Sequence, residues 1–380
     1  MTSKNSLPTS ASPIRMIIDT IKRHTWLFAL AIVLAFFAMP VTLALQLQSA
    51  PTLTPSNTEQ YLQQMTNMVN YVTNPDYIPM TILFIGAAII SAVVFFGYLH
   101  SKKQVDFYHS LPIKREKLFL IRYLSGLLII YIPYLINCIL SLLIILAFGD
   151  IAFLSLGEFF GALGRNLLFF TAIYTIGVLA GVVCGNRVIH LLGTGILLGI
   201  GPLLISFYAA VMETFYQTFY SALFPINELC MYSSPVAAFF NPNSQMIILW
   251  AVLTVLFFLL SLFLYKKRPS EGASHAIAFR YAKPIIKYPL VFISTIAMGL
   301  LFHMVGDHGS GQIGFWLIFG FLCGAFLSHA IIEIIYHFDF KAAFGNKKGF
   351  LIFAICFFLL ASVPLCDLTG YDDFTVEAAD

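Results

Sequence analysis

The chain is dominated by long apolar runs that contain almost no charged side chain and are separated by shorter polar connectors. A helix needs about 20 apolar residues to cross the hydrocarbon core of a bilayer, where its backbone must satisfy its own hydrogen bonds. Nine runs approach or exceed that length, and they cover residues 26–45, 78–99, 123–149, 166–186, 188–212, 246–265, 288–306, 309–332 and 349–366. The sequence therefore predicts an all-α polytopic membrane protein with about nine spans.

The composition also favours a lipid environment. The chain is 59% hydrophobic and 10% charged, whereas a soluble domain carries about 25% charged residues. Its six cysteines form no CxxC pair and no metal-ligand spacing, and no Ser/His/Asp or Cys/His set stands out as a nucleophile arrangement. Basic residues are spread over several connectors instead of forming one basic domain, so neither a resident metal nor a nucleic-acid partner is expected.

Lysine and arginine are concentrated in alternate connectors. They precede the first run and follow the second, fourth, sixth and eighth runs, whereas residues 46–77, 213–245, 307–308 and 367–380 contain neither. Arg165, just before the fourth run, is the exception. Because basic loops of membrane proteins stay in the cytoplasm, the pattern predicts a cytoplasmic N-terminus and an extracellular C-terminus.

The residues before the first run have a pattern of their own. Four isoleucines between Ile14 and Ile21 recur at helical spacing, with Arg15 and Asp19 off that stripe. This pattern predicts a short amphipathic helix on the inner membrane face. A disordered basic leader is the alternative interpretation.

The connector at residues 101–117 is longer than a turn between spans requires, and it mixes basic residues with apolar ones. Pro112 is suited to begin a new helix that continues into the third run. We predict a short helix across the membrane face, with Phe107 and Tyr108 exposed. The pattern leaves two interpretations open: the aromatic side chains dock into a groove on another protein, or they anchor the connector at the lipid interface.

Two stretches resemble segments of ABC-2-type transporter permeases of Gram-positive bacteria: YLHSKKQVDFYHSLPIKREKLF at residues 98–119 and YKKRPSEGASHAIAFRYAKPIIKYP at residues 265–289. In that family the first stretch holds the coupling helix that seats in a cytosolic ATPase subunit. The resemblance therefore implies a bacterial plasma-membrane permease that couples ATP hydrolysis to transport, with export as the expected direction. It assigns the ATPase contact to Asp106, Phe107, Tyr108, His109, Ser110 and Leu111.

The resemblance also sets the expected partners. The sequence contains no GxxxxGK[ST] phosphate loop, so ATP and Mg²⁺ would be bound by a separate ATPase subunit. This chain would then be no enzyme and carry no cofactor of its own. The transport unit of the family implies a second permease subunit, identical or different, in contact with membrane lipid.

The same comparison gives a domain plan. Residues 1–25 are expected to form a cytoplasmic leader with an interfacial helix, and residues 26–268 a six-span module with the coupling helix near 101–117. Residues 269–288 would be a cytoplasmic linker, which is a solvated basic segment in its simplest interpretation. Residues 289–366 would add three further spans, and residues 367–380 a short acidic extracellular tail.

One further cluster lies inside a predicted span. His329, Glu333 and His337 share one helix face of the eighth run, at spacings of four residues. An ionisable residue within a span is a candidate functional site, here a metal site or a proton relay with Glu333 as the carrier. The alternative is that Glu333 faces a packed interior and pairs with a basic residue. If Glu333 carries protons, the chain would be an ion-coupled secondary transporter. A further alternative is a membrane subunit of a complex that does not itself transport a substrate.

The outer connector at residues 213–243 is long and rich in aromatic residues. It is expected either to form short re-entrant helices that close the outer mouth of a pathway, or to supply an interfacial aromatic belt.

Overall fold

The computed structural model describes residues 13–49, 63, 66, 78–148, 156–216, 218–220, 223–240, 242–306 and 313–371. Within these ranges the regular structure is helical, and the one β contact is an isolated bridge between Cys184 and Ile277. Nine of the described helices are long and apolar enough to span a membrane. The predicted all-α polytopic class is therefore confirmed. Most of the acidic tail and most of the connector at 46–77 lie outside the described residues.

The helices are numbered here in chain order. They are α1 Pro13–Lys22, α2 Thr25–Phe36, α3 Thr42–Ser49, α4 Ile78–Phe96, α5 Lys102–Ser110, α6 Arg115–Phe148, α7 Leu156–Val183, α8 Arg187–Phe215, α9 Ile226–Ser233, α10 Pro235–Phe240, α11 Ser244–Lys267, α12 Ala282–Gly306, α13 Ile313–His337 and α14 Lys347–Leu365. A π-helical segment around Pro40 joins α2 and α3 into one span, because proline cannot donate the backbone hydrogen bond of a regular helix. Helix α1 forms where the amphipathic helix is predicted.

Two spans begin earlier than the apolar runs suggest. Helix α6 begins at Arg115 and has 34 residues, which makes it about 51 Å long at 1.5 Å per residue. This exceeds the hydrocarbon thickness of about 30 Å, so its first turns belong to the polar connector. Helix α7 begins at Leu156, which places Arg165 inside the helix and not in a connector. This accounts for the exception in the charge pattern.

Helix α7 lies at the centre of the first six spans and packs against α4, α6, α8 and α11. Phe170 of α7 stacks on Phe84 and on Phe239, with ring centroids 5.3 and 5.4 Å apart. Buried polar contacts add to this packing, such as the 2.7 Å hydrogen bond between the hydroxyl groups of Tyr123 and Thr175. Lipid provides no hydrophobic force between spans, so such close packing and interhelical hydrogen bonds hold them together.

The last three spans form a second packed unit. A shared apolar core of Val291, Leu317, Phe321, Ala325, Phe353 and Phe357 joins α12, α13 and α14. Helices α12 and α13 approach closely through small residues: a Cβ atom on Gly324 would lie 3.0 Å from the Cα atom of Thr295. The unit contacts the first six spans through α8.

The connector at residues 213–243 contains the two short helices α9 and α10, and their re-entrant role stays a prediction. They pack back on α7 and α8. The indole N–H of Trp250 donates to the carbonyl oxygen of Met231 at 3.2 Å, and Phe239 is buried against Phe169 and Phe170. The segment is thus part of the folded helix bundle.

Candidate coupling site on the basic face

The basic face is the side of the molecule that carries α1, α5, the α11–α12 connector and the α13–α14 connector. Helix α5 forms within the predicted segment and ends at Ser110. The next residue, Leu111, has the extended backbone that is favoured before Pro112. Its apolar residue Val105 is buried, whereas the Phe107 side chain is 58% exposed. The helix therefore anchors itself inward through Val105 and presents Phe107 outward.

Tyr108 does not share the exposed position predicted for it. Its ring packs edge-to-face on Tyr98 with centroids 5.0 Å apart, and the guanidinium of Arg122 lies 4.5 Å from its centroid. The Arg23 guanidinium donates to its hydroxyl oxygen at 3.5 Å. Neighbouring helix residues point about 100° apart, so only one of the two aromatic side chains faces outward. Tyr108 instead ties α5 to the 3₁₀ turn Gly97–His100 after α4, to α6 and to the residue that follows α1.

The remaining predicted residues lie on the same helix end. Asp106 and Ser110 are exposed, and the Ser110 hydroxyl donates to the Phe107 carbonyl oxygen at 2.8 Å. Leu111 and His109 are half-buried. Burial, then the positive charge of Arg115 and Arg268, lowers the pKa of His109 from 6.5, against the opposing effect of Asp106. His109 is therefore neutral at pH 7.

The α11–α12 connector differs from the expected solvated linker, because much of it is folded into the protein. Ala273, Ala276, Ile277 and Ala278 are buried, since their small or apolar side chains fit against the ends of α7 and α8. The Gly185 carbonyl accepts from the Ser274 amide at 2.9 Å, and the Gly185 amide donates to the Ala276 carbonyl at 3.1 Å. A Cβ atom on Gly185 would lie 2.3 Å from two connector carbonyl oxygens, so only glycine allows this approach.

The connector also contacts α5 through its 3₁₀ turn at Ser270–Gly272. The structure thus brings together the two stretches that carry the resemblance, although 145 residues lie between them. Helix α12 begins at Ala282, earlier than the end of the expected linker at residue 288.

Arg268 holds the start of the α11–α12 connector against the ends of two neighbouring spans. Its guanidinium is 4% exposed and donates to the carbonyl oxygens of Gly181, Val182 and Leu99 at 2.8, 2.5 and 2.9 Å. These carbonyls lie at helix C-termini, where no intrahelical partner exists and a cation is favourable. Burial lowers the pKa of Arg268 to about 10, which leaves it charged at neutral pH. Sequence analysis did not single out Arg268, because many basic residues follow a span.

Further contacts join the spans next to α5 to one another. The hydroxyl groups of Tyr98 and Tyr265 are 2.6 Å apart in the interior, which links the 3₁₀ turn after α4 to α11. Arg115 at the start of α6 donates to the carbonyl oxygens of Lys266 and Arg268, each at 3.3 Å. The ends of the spans beside α5 are therefore held together by hydrogen bonds.

The second predicted cluster, His329, Glu333 and His337, is brought together on one face of α13. A residue that sequence analysis missed completes it: the Lys287 ammonium of α12 lies 2.5 Å from Glu333 Oε1 and 3.2 Å from His329 Nε2. His337 Nδ1 lies 3.3 Å from Glu333 Oε2. Glu333 is therefore buried and paired with a basic residue, as the second interpretation expects for its charge. A lysine at this position blocks metal coordination between the imidazole and the carboxylate.

Comparison with known proteins gives one similarity that bears on function. The chain is 26% identical over 238 residues to the "Probable ABC transporter permease YtrC" of Bacillus subtilis (strain 168), which covers 59% of this chain and 71% of the relative. No protein-family profile and no solved structure matches the chain. The similarity and the nine apolar helices both support a multi-pass membrane protein.

Proposed function

We propose that this chain is the transmembrane permease subunit of an ABC transporter of the bacterial plasma membrane. A separate cytosolic ATPase subunit binds ATP and Mg²⁺, and a second permease subunit completes the transport unit. The similarity to a protein named as a permease supports this proposal. The observation that carries it is α5, a helix on the basic face that presents Phe107 outward while Tyr108 ties it to the surrounding spans.

In the proposed mechanism the ATPase receives Phe107 in a groove, with Asp106 and Ser110 beside it. Closure of two ATPase subunits on ATP then displaces α5, and the contacts of Tyr108, Arg115 and Arg268 pass the displacement to the spans. The spans rearrange around a pathway between the two permease subunits, in the direction of export. ATP can drive this change only if the ATPase contacts the permease differently before and after the spans rearrange. The chain itself forms no covalent bond.

Ion-coupled transport through Glu333 has less support. Both oxygens of that carboxylate are engaged, one by Lys287 and the other by His337. An ion carrier would need a carboxylate that can release these partners, whereas loss of one partner from a buried ion pair is strongly unfavourable.

The proposal is tested with tagged full-length chain purified in mild detergent from the membranes of its native host. We expect a protein with a GxxxxGK[ST] motif to co-purify, and the complex to hydrolyse ATP. Phe107→Asp should remove this partner, because a charge would enter an apolar groove. Tyr281→Asp is the matched control, since Tyr281 is 87% exposed on the same face but lies on the α11–α12 connector.

Both variants should insert into the membrane and melt at the wild-type temperature, because both side chains are exposed. Absence of any such ATPase from the wild-type preparation would contradict the proposed function. Retention of the ATPase by Phe107→Asp would contradict the assignment of α5 as the docking helix.

A further inference from the structure

A cavity of about 530 Å³ lies between α12, α13 and the α13–α14 connector on the basic face. The polar side chains that line it are Lys283, Lys287, Tyr288, Glu333, Tyr336, His337 and Asn346. None of the six predicted coupling residues lines it. The cavity is therefore distinct from the proposed ATPase-docking surface.

The charges around the cavity favour an anion. Glu333 neutralises Lys287 at a distance of 2.5 Å. Lys283 adds a second positive charge: its ammonium lies 5.7 Å from the Tyr336 ring centroid, and no ion pair of Lys283 occurs among the described residues. Helix α14 begins beside Asn346 with Lys347 and Lys348, and a helix N-terminus also favours negative charge. The internal ion pair thus leaves a net positive cavity.

The position of the cavity matches the lipid headgroup level. Lys287 lies five residues after the start of α12, about 7.5 Å along the helix, and His337 ends α13. The adjoining connector exposes Phe340 and Phe344, with Lys341 between them. Exposed aromatic and basic residues in one short segment are typical of a segment lying in the interface of an anionic membrane.

We propose that this cavity binds the phosphate headgroup of an anionic phospholipid. Lys283 binds the phosphate, while the Lys287–Glu333 pair forms the floor of the cavity and Phe340 and Phe344 contact the acyl chains at its rim. Basic pockets between transmembrane helices on the cytoplasmic side are suited to such headgroups. The inference uses the proposed orientation of the basic face but not the ATPase partnership.

The test uses purified full-length chain and compares phosphatidylglycerol, phosphatidylcholine and inorganic phosphate as probes. Native mass spectrometry measures bound lipid, and thermal unfolding in detergent measures stabilisation. We expect phosphatidylglycerol to bind and stabilise, phosphatidylcholine to do neither, and Lys283→Gln to weaken phosphatidylglycerol binding about fivefold. Lys283→Arg should retain binding because it keeps the charge.

Lys267→Gln is the matched control. Lys267 ends α11 on the same face, and its ammonium also lies over an aromatic ring, 4.3 Å from the Phe263 centroid. Equal losses in Lys283→Gln and Lys267→Gln would overturn the proposal, as would unchanged binding in Lys283→Gln. Equal stabilisation by inorganic phosphate would also overturn it, since the ligand would then be a soluble anion.

The two proposals fail separately in these experiments. Absence of lipid selectivity with the ATPase still co-purifying would contradict the headgroup site alone. Selective lipid binding without any co-purifying ATPase would contradict the permease function alone.

Discussion

Replacing Arg268 with methionine tests whether this side chain holds the coupling site together. The guanidinium donates three charge-assisted hydrogen bonds, to the carbonyl oxygens of Leu99, Gly181 and Val182. Each such bond contributes about 1.5–3 kcal/mol, against a desolvation cost of several kcal/mol for the buried cation. Methionine fills much of the volume but leaves the buried carbonyls without a donor. We expect the free energy of unfolding to fall by about 3–5 kcal/mol.

The assay is thermal unfolding of the purified chain in detergent. A loss of this size corresponds to a melting temperature lower by roughly 5–10 °C. Arg268→Lys should lose part of this amount, because an ammonium cannot bridge two helix ends with a rigid fork. Arg280→Met is the matched control, since Arg280 is an exposed arginine of the same connector and should change stability by less than about 0.5 kcal/mol.

Hydrogen exchange locates the effect. In Arg268→Met, amide protection should fall first in α5 and in residues 270–278, because these segments depend on the junction, while the α7 core stays protected. A wild-type melting temperature for Arg268→Met would refute the reasoning. An equal loss in Arg280→Met would refute it as well, since charge alone would then explain the result.

Two further predictions concern α5. Tyr108→Phe should preserve stability because the ring stays under Arg122. Tyr108→Leu removes the cation–π contact, so its free energy of unfolding should fall by about 1–2 kcal/mol and α5 should become accessible to limited proteolysis. Equal cleavage of both variants would contradict this role. Because the pKa of His109 is below 6.5 in the folded protein, the unfolded state binds more protons as the pH falls. The contribution of His109 to stability should therefore be constant above pH 6.5 and decline on acidification below it. His109→Gln should flatten the dependence of the melting temperature on pH between about pH 7.5 and 5. An unchanged pH dependence in that variant would contradict the prediction.

The coupling segment separates what the sequence specifies locally from what the fold adds. The pattern around Val105 and Pro112 predicts a short helix, and α5 forms there. Periodicity also places Phe107 and Tyr108 on neighbouring positions, but it does not say which of them meets a neighbouring span. Arg122 and Tyr98 decide this, because they cover the Tyr108 ring and leave Phe107 outside.

The sequence by itself determined the all-α class and the nine spans, because lipid forces each apolar run of about 20 residues to satisfy its backbone bonds within one helix. It also showed that Glu333 lies on one face with two histidines. Only the tertiary structure decided that Lys287, 46 residues earlier, neutralises Glu333, and that Arg268 closes the helix ends at Leu99 and Gly181. Such pairings depend on which helices become neighbours, and that choice is set by packing over the whole bundle and not by local spacing.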